Sequence, residues 1–118
     1  MSKAIPEILI DALKAVALTP KQATWDCHGT PVVLHKALER IAAHKGIVFD
    51  APNMIDHDVD KKTVVICVQG HLKDKTEWSF GEAAPYNNKN AYTFSMAEKR
   101  AKDRVILKLL NVAGFVYS

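Results

Sequence analysis

Apolar and polar positions in residues 91–114, AYTFSMAEKRAKDRVILKLLNVAG, repeat at the helical period. Phe94, Ala97, Ala101, Val105, Leu109 and Val112 are spaced by three and four, which puts them on one face of a single long helix. Arg100, Arg104 and Lys108 recur at spacing four as a second stripe beside it. Thr93 or Ser95 can cap the start, Glu98 stands at the capping-box distance from Ser95, and Gly114 suits the end. Glu98 with Lys102, and Lys99 with Asp103, make i,i+4 pairs. Beyond Val105 the apolar residues nearly encircle the helix, because Ile106, Leu107 and Leu110 point away from the first stripe. A helix end that is apolar all round has to be buried. For a domain of this size, help from a neighbouring subunit is the expectation.

Two shorter helices are predicted upstream. Over residues 6–18, Pro6 suits the first turn and Ile5, Ile8, Leu9, Ala12, Leu13 and Val16 form an apolar face, with Pro20 as the stop. The stretch KQATWDCHGT reads as a loop or short strand. Thr30 then caps a second helix, with Pro31 in its first turn and Gly46 closing it. Its core face is Val33 or Leu34, Ala37, Leu38, Ile41 and Ala42, and Lys36, Arg40 and His44 form another basic stripe.

Residues 47–83 switch to strand character. IVFDAPNMID is extended, and Pro52 marks an edge strand or a bulge. TVVICVQGHLK alternates on both faces, KDKT is a tight turn, and EWSFGEA is a third strand with Trp78 and Phe80 read as core. APYNNKN is a polar linker, flanked by Tyr86 and Tyr92, which are read as packing residues. The predicted architecture is α+β: an antiparallel three-stranded β-meander crossed by a long C-terminal helix, with two N-terminal helices. All 118 residues fit one domain, divided into an N-terminal helix and arm over 1–24 and a core over 25–114.

Composition narrows the function classes modestly. A hydrophobic content of 48% and a charged content of 25% are ordinary for a globular chain. No apolar run reaches the length of a membrane span, and Glu7 and Asp11 interrupt any signal-peptide pattern. Two cysteines, Cys27 and Cys67, in no metal-type spacing point to a reduced, intracellular protein. The net charge is only +3, but residues 91–118 hold five basic and two acidic residues, an excess equal to the whole. That concentration permits an anionic partner.

Candidate metal and catalytic motifs are weak. DHDVD at 56–60 begins like a calcium loop, but Lys61 takes the place of its glycine and Cys67 the place of its final glutamate, so a solvated turn is the better reading. Cys27 with His28, and Cys67 with His71, match no common zinc spacing. The five glycines are scattered and form no phosphate loop, and no nucleophile–base pair stands out. No cofactor is expected.

The strand–strand–strand–helix order, with these residues in it, is similar to the single-strand annealing proteins of recombination, the Rad fifty-two mediator and the phage Erf and Sak types. VVICVQGHLKDKTEWSFGEA resembles that family's central hairpin, and SMAEKRAKDRVILKLLNVAG resembles its signature helix. HGTPVVLHKALERIAAHKGI is weakly similar to the helix before the sheet, so the resemblance spans about residues 25–114. One departure is that Lys108 lies between Leu107 and Leu109, where the family often has two adjacent basic residues.

The resemblance implies a homo-oligomeric ring or filament in the cytoplasm or nucleoid of a bacterial host. It would bind single-stranded DNA and anneal complementary strands without nucleotide hydrolysis, with a recombination or replication protein as a further partner. Under it, Arg100, Arg104 and Lys108 are the leading phosphate contacts, Lys99 and Lys102 come second, and Lys73, Lys75, Lys36 and Arg40 follow. Independently of the name, a protein that anneals any sequence must hold phosphates and leave base edges exposed. Two other classes compete: a small metal-dependent nuclease using Asp74, Glu77 and Lys75, and a basic protein-interaction module.

Overall fold

The computed structural model describes residues 4–87 and 92–118. It is α+β, with ten elements in chain order: α1 (Glu7–Ala15), α2 (Pro20–Ala23), β1 (Thr24–Cys27), β2 (Thr30–Val33), α3 (His35–Lys45), β3 (Val48–Phe49), β4 (Asn53–Asp58), β5 (Thr63–Leu72), β6 (Lys75–Ala83) and α4 (Thr93–Leu109). Among the described residues there are six strands in two antiparallel sheets, not the three expected.

Three local expectations change. Pro20 does not simply end the first helix; it opens α2, where Thr19 and Gln22 form a reciprocal capping box. Thr30 and Pro31 do not start a helix. They belong to β2, which pairs with β1 across a two-residue turn at His28 and Gly29, both at positive φ (50° and 88°). β2 is buried along its whole length, and the chain's C-terminal segment locks it: Tyr117 N–H donates to Pro31 O and Val33 N–H to Tyr117 O, each at 2.8 Å. The helix that follows starts at His35 and ends at Gly46, whose φ of 78° gives the expected left-handed cap.

The larger sheet is centred on β5. β6 pairs along one side of it, from Val64↔Ala83 to Leu72↔Lys75. β3 and β4 share the other side, β3 opposite Gly70 and His71 and β4 opposite residues 63–67. The predicted first strand is therefore split around Pro52, and the register also shifts between Met54 and Asp56.

α4 crosses β5 and β6. Ala97, Ala101, Val105 and Leu109 meet Val64, Ile66, Val68 and Ala83 in one core cluster. This is the predicted stripe without its two ends: Phe94 is 45% exposed and lies edge-on to His57 at 4.7 Å, and Val112 follows the end of the helix and packs in the other core cluster. The helix starts at Thr93 without a side-chain cap, and the expected start at Ala91 lies outside the described residues. It stops before Gly114: Asn111 takes the left-handed conformation (φ 61°) and Val112 N–H donates back to Leu107 O.

The second apolar side of α4 needs no neighbouring subunit. Ile106, Leu107 and Leu110 are buried with Leu9 and Leu13 of α1, Leu38 and Ile41 of α3, and Val112 and Val116 of the C-terminal segment. Ile47 and Phe49 pack on both clusters and join them. Trp78 and Phe80, expected in the core, lie on the sheet face away from α4 and are 50% and 44% exposed. Tyr86 and Tyr92, at the two ends of the linker, are 80% and 72% exposed rather than packed, and linker residues 88–90 lie outside the described residues. Among the described residues, no helix is long and apolar enough to cross a membrane.

Candidate nucleic-acid interface

The stripe Arg100, Arg104, Lys108 is held by the chain's own backbone. Arg100 donates from Nη1 to Glu82 O at 2.9 Å and from Nη2 to Asn87 O at 2.5 Å. Arg104 donates to Phe80 O at 2.7 Å and grips both carboxylate oxygens of Glu82 at 2.8 and 3.0 Å. Lys108 donates to Trp78 O at 2.7 Å and stands 5.4 Å over the Trp78 ring. Carbonyls two residues apart in a strand point the same way, and among the described residues β6 has β5 as its one strand neighbour. The three cations thus sit along the side of β6 that carries no strand, capping carbonyls that would otherwise template edge pairing.

The Arg104–Glu82 contact holds both of its groups in their charged forms. The hydrogen bond from Arg104 holds the Glu82 carboxyl below its ordinary range, against the opposing effect of burial, and Glu82 raises the Arg104 guanidinium. The three leading phosphate candidates are therefore structural braces. A phosphate could recruit them only by uncapping β6.

The remaining candidates do not share one surface with the stripe. Lys75 donates to Lys108 O at 3.0 Å and to Asn111 Oδ1, so it closes the C-terminal end of α4 and is not placed as a base. Arg40 donates to Val16 O at 2.6 Å and ties α3 to the end of α1. Lys36 is exposed on α3, and Lys73 is exposed in the β5–β6 turn at φ 57°. Asp74 adjoins Lys73, and Glu77 is 4.0 Å from Lys75. Among the described residues, no three His, Cys, Asp or Glu side chains are grouped to hold a metal ion. Asp58 of the DHDVD stretch accepts the Lys61 N–H at 3.0 Å and closes a turn.

Lys99 and Lys102 lie on the opposite flank of α4, where the helix meets β4 and α3. They border a groove of about 540 Å³ with an apolar floor that includes Met54, Ile66 and Phe94. Lys102 pairs with Glu98 at 3.0 Å and stands 5.3 Å from the Phe49 ring centre. That ion pair is about one third exposed on each side (34% and 40%), so it holds Lys102 weakly.

Sequence reasoning missed what closes one end of this groove. His35 bridges two carboxylates, with Nδ1 2.5 Å from Asp103 and Nε2 2.8 Å from Glu39. Asp103 is only 4% exposed; burial pushes its carboxyl up, while the His35 contact opposes that shift. A signal for it existed. Asp103 precedes Ile106 and Leu107 by three and four residues, so it occupies the same buried side of the helix.

Comparison with protein-family models, with curated proteins and with solved structures finds no match for this chain.

Proposed function

We propose that the chain binds single-stranded DNA and anneals complementary strands in homologous recombination, as a homo-oligomer and without nucleotide hydrolysis. The resemblance of the β5–β6 hairpin and α4 to single-strand annealing proteins motivates the reading. The observation that carries it is the groove beside α4, where Lys99 and Lys102 border an apolar floor. In this reading the two ammonium groups take phosphates, sugars lie against Met54 and Phe94, and base edges face outward to pair. The electrostatic grip thus moves from the Arg100 stripe to the other flank of the helix. Exchanging Glu98 for phosphate at Lys102 costs little, because the existing pair is solvent-screened.

The test is polarisation of a labelled oligonucleotide titrated at several salt concentrations, followed by annealing of two complementary labelled strands. Lys99→Ala with Lys102→Ala should weaken binding equally across sequences. It should also flatten the salt dependence by about 1.4 in the log–log slope, two single-strand phosphates' worth. Unchanged affinity in the double variant would move the interface elsewhere, and wild-type protein that neither binds nor anneals would end the reading. Cleavage of the strands with Mg²⁺ would favour a nuclease instead.

A further inference from the structure

His35 meets a carboxylate at each ring nitrogen, Asp103 at Nδ1 and Glu39 at Nε2. At 2.5 and 2.8 Å each contact needs a hydrogen between nitrogen and oxygen, and a neutral imidazole has only one N–H. The cluster therefore holds one proton more than a neutral ring and two ionised carboxylates possess. Asp103 is 4% exposed, whereas the Glu39 side chain is 63% exposed and solvated by water, so the buried pair is where that proton relieves charge. On the ring it makes an imidazolium; on Asp103 it makes a carboxylic acid that donates to Nδ1. Both arrangements leave a hydrogen on Nε2. Burial raises the Asp103 carboxyl, which favours the protonated cluster.

His35 and Glu39 both line the groove that Lys99 and Lys102 border, so the Nε2 contact belongs to its wall while the Asp103 contact is buried. The charged groups around the ring are Glu39 on α3 and Glu98, Lys99, Lys102 and Asp103 on α4. Among the described residues that line the groove, β4 and β5 supply Met54 and Ile66 and no charge. One other imidazole touches the wall: His57 meets Phe94 edge-on. The exposed Glu39 carboxylate is a solvent-screened partner, readily exchanged for another anion.

We propose that His35 is a third phosphate contact of the groove, donating from Nε2 to a strand in place of Glu39, with Asp103 as the positioning residue that fixes the ring and retains the extra proton. This rests on the reading that Lys99 and Lys102 hold a nucleic-acid backbone. When the extra proton leaves, the remaining hydrogen stays on Nδ1, because a buried carboxylate without a donor is the costlier loss. Nε2 then turns a lone pair toward the groove and repels phosphate oxygen. Binding of the strand is thereby coupled to uptake of one proton, and the grip loosens as pH rises.

Polarisation of a labelled oligothymidylate from about pH 5 to 8 at fixed ionic strength tests it, since neither thymine nor the phosphodiester titrates there. Wild-type affinity should fall as pH rises, by up to about tenfold per pH unit, the limit for one linked proton. His35→Gln should bind about tenfold more weakly than wild type at the acidic end and match it at the alkaline end. Its log–log salt slope at acidic pH should be lower by about 0.7, a single phosphate contact. Glu39→Gln removes a competing acceptor, so it should bind more tightly and keep the pH dependence, and His57→Gln should behave as wild type. His35→Gln also cuts a tie between α3 and α4, so circular dichroism checks its fold. Ring NMR of the unaltered protein is the second readout: the hydrogen on His35 Nε2 should be lost as pH rises, and bound oligonucleotide should move that loss to higher pH. Affinity indifferent to pH, a pH dependence that survives in His35→Gln, or a titration that oligonucleotide leaves in place overturns the role of His35 and leaves the two lysines standing. An oligonucleotide that binds at no pH ends the groove reading and this contact with it.

Discussion

At Gly81 the backbone of α4 lies directly on the sheet, and replacing this glycine by alanine should be among the most damaging small changes in the chain. A Cβ at that position would lie 2.0 Å from Ala97 O, 2.5 Å from Ala101 N and 2.8 Å from Ala101 Cβ. Two of those three atoms are helix backbone, so no rotamer change relieves the overlap; the helix must lift. Lifting it opens the contacts of Ala97, Ala101 and Val105, all fully buried, and draws Arg100 and Arg104 off the β6 carbonyls. Overpacking a core costs about 1–3 kcal/mol, and an immovable neighbour puts this case at or above ~3 kcal/mol. Against a total of roughly 5–15 kcal/mol that is a large share. For a chain of this size it corresponds to a fall in melting temperature of about 12 °C.

Gly70→Ala is the internal comparison. There the closest atoms are Val105 Cγ1 at 2.8 Å and Phe49 Cδ1 at 3.1 Å, both on side chains that can yield, so the loss should be about 1 kcal/mol. Neither glycine has a left-handed φ, so the difference between the two variants measures space alone. Urea denaturation followed by circular dichroism gives both values, with an unchanged m confirming the same cooperative transition. If Gly81→Ala costs less than Gly70→Ala, or under about 1 kcal/mol, the close seating of α4 on β6 is wrong.

Arg104→Ala removes three hydrogen bonds from a partly exposed site, with side chains 40% and 34% accessible. After allowance for solvent screening, a loss of about 1 kcal/mol in urea is expected. The salt slope for single-stranded DNA should stay the same, and a slope that flattened would return Arg104 to the interface. Glu82 has its folded-state carboxyl lowered by Arg104, so its stabilising effect is complete above the ordinary glutamate value of about 4.3 and fades as pH falls through the lower folded value. The gap in melting temperature between wild type and Glu82→Gln should therefore close on acidification, and a gap that widened would contradict the ion pair. Asp103 has the opposite sign. Its carboxyl is raised by burial, so its contribution is greatest below the ordinary aspartate value of about 3.9 and is lost as pH rises through the raised one. Melting curves of Asp103→Asn should gain on wild type as pH increases, and a variant that lost ground instead would show that His35 outweighs desolvation.

What was legible in the chain was what local period encodes. The stripe Ala97, Ala101, Val105, Leu109 and the alternation of Val64, Ile66 and Val68 both face the core as the spacing required. Gly46 and the break at Pro52 carried their own geometry. Errors arose where a distant segment decides. TPVV reads as a helix start by its Thr-Pro opening, yet the chain's far end pairs with it through Tyr117, and that burial favours a strand. The oily end of α4 suggested a partner because the residues that cover it lie near positions 9–13 and 38–41. Trp78 and Phe80 were placed in the core by residue type, although the small residues that alternate with them, Ser79 and Gly81, are the ones that face the helix. In the groove, Lys99 and Lys102 were visible only as charges, because the Met54 and Phe94 floor is assembled from separate elements.

The basic stripe was misread for a geometric reason that also limits how copies can associate. Four residues of helix rise about 6.0 Å, and two residues of strand advance about 6.7 Å. Cations at period four on α4 therefore stay in step with alternate carbonyls of β6. Arg100 meets residue 82, Arg104 residue 80 and Lys108 residue 78, in antiparallel order. The mismatch over two intervals is about 1.4 Å, which side chains of this length absorb. Read as a line of letters, such a stripe is indistinguishable from one aimed at phosphates. Once it caps β6, that strand cannot accept a strand from another copy without losing three charge-assisted bonds, each worth about 1.5–3 kcal/mol before screening. The opposite edge, β4, is shortened by Pro52 and bent by its register shift. Edge-to-edge strand pairing is thus disfavoured at both sides of the sheet.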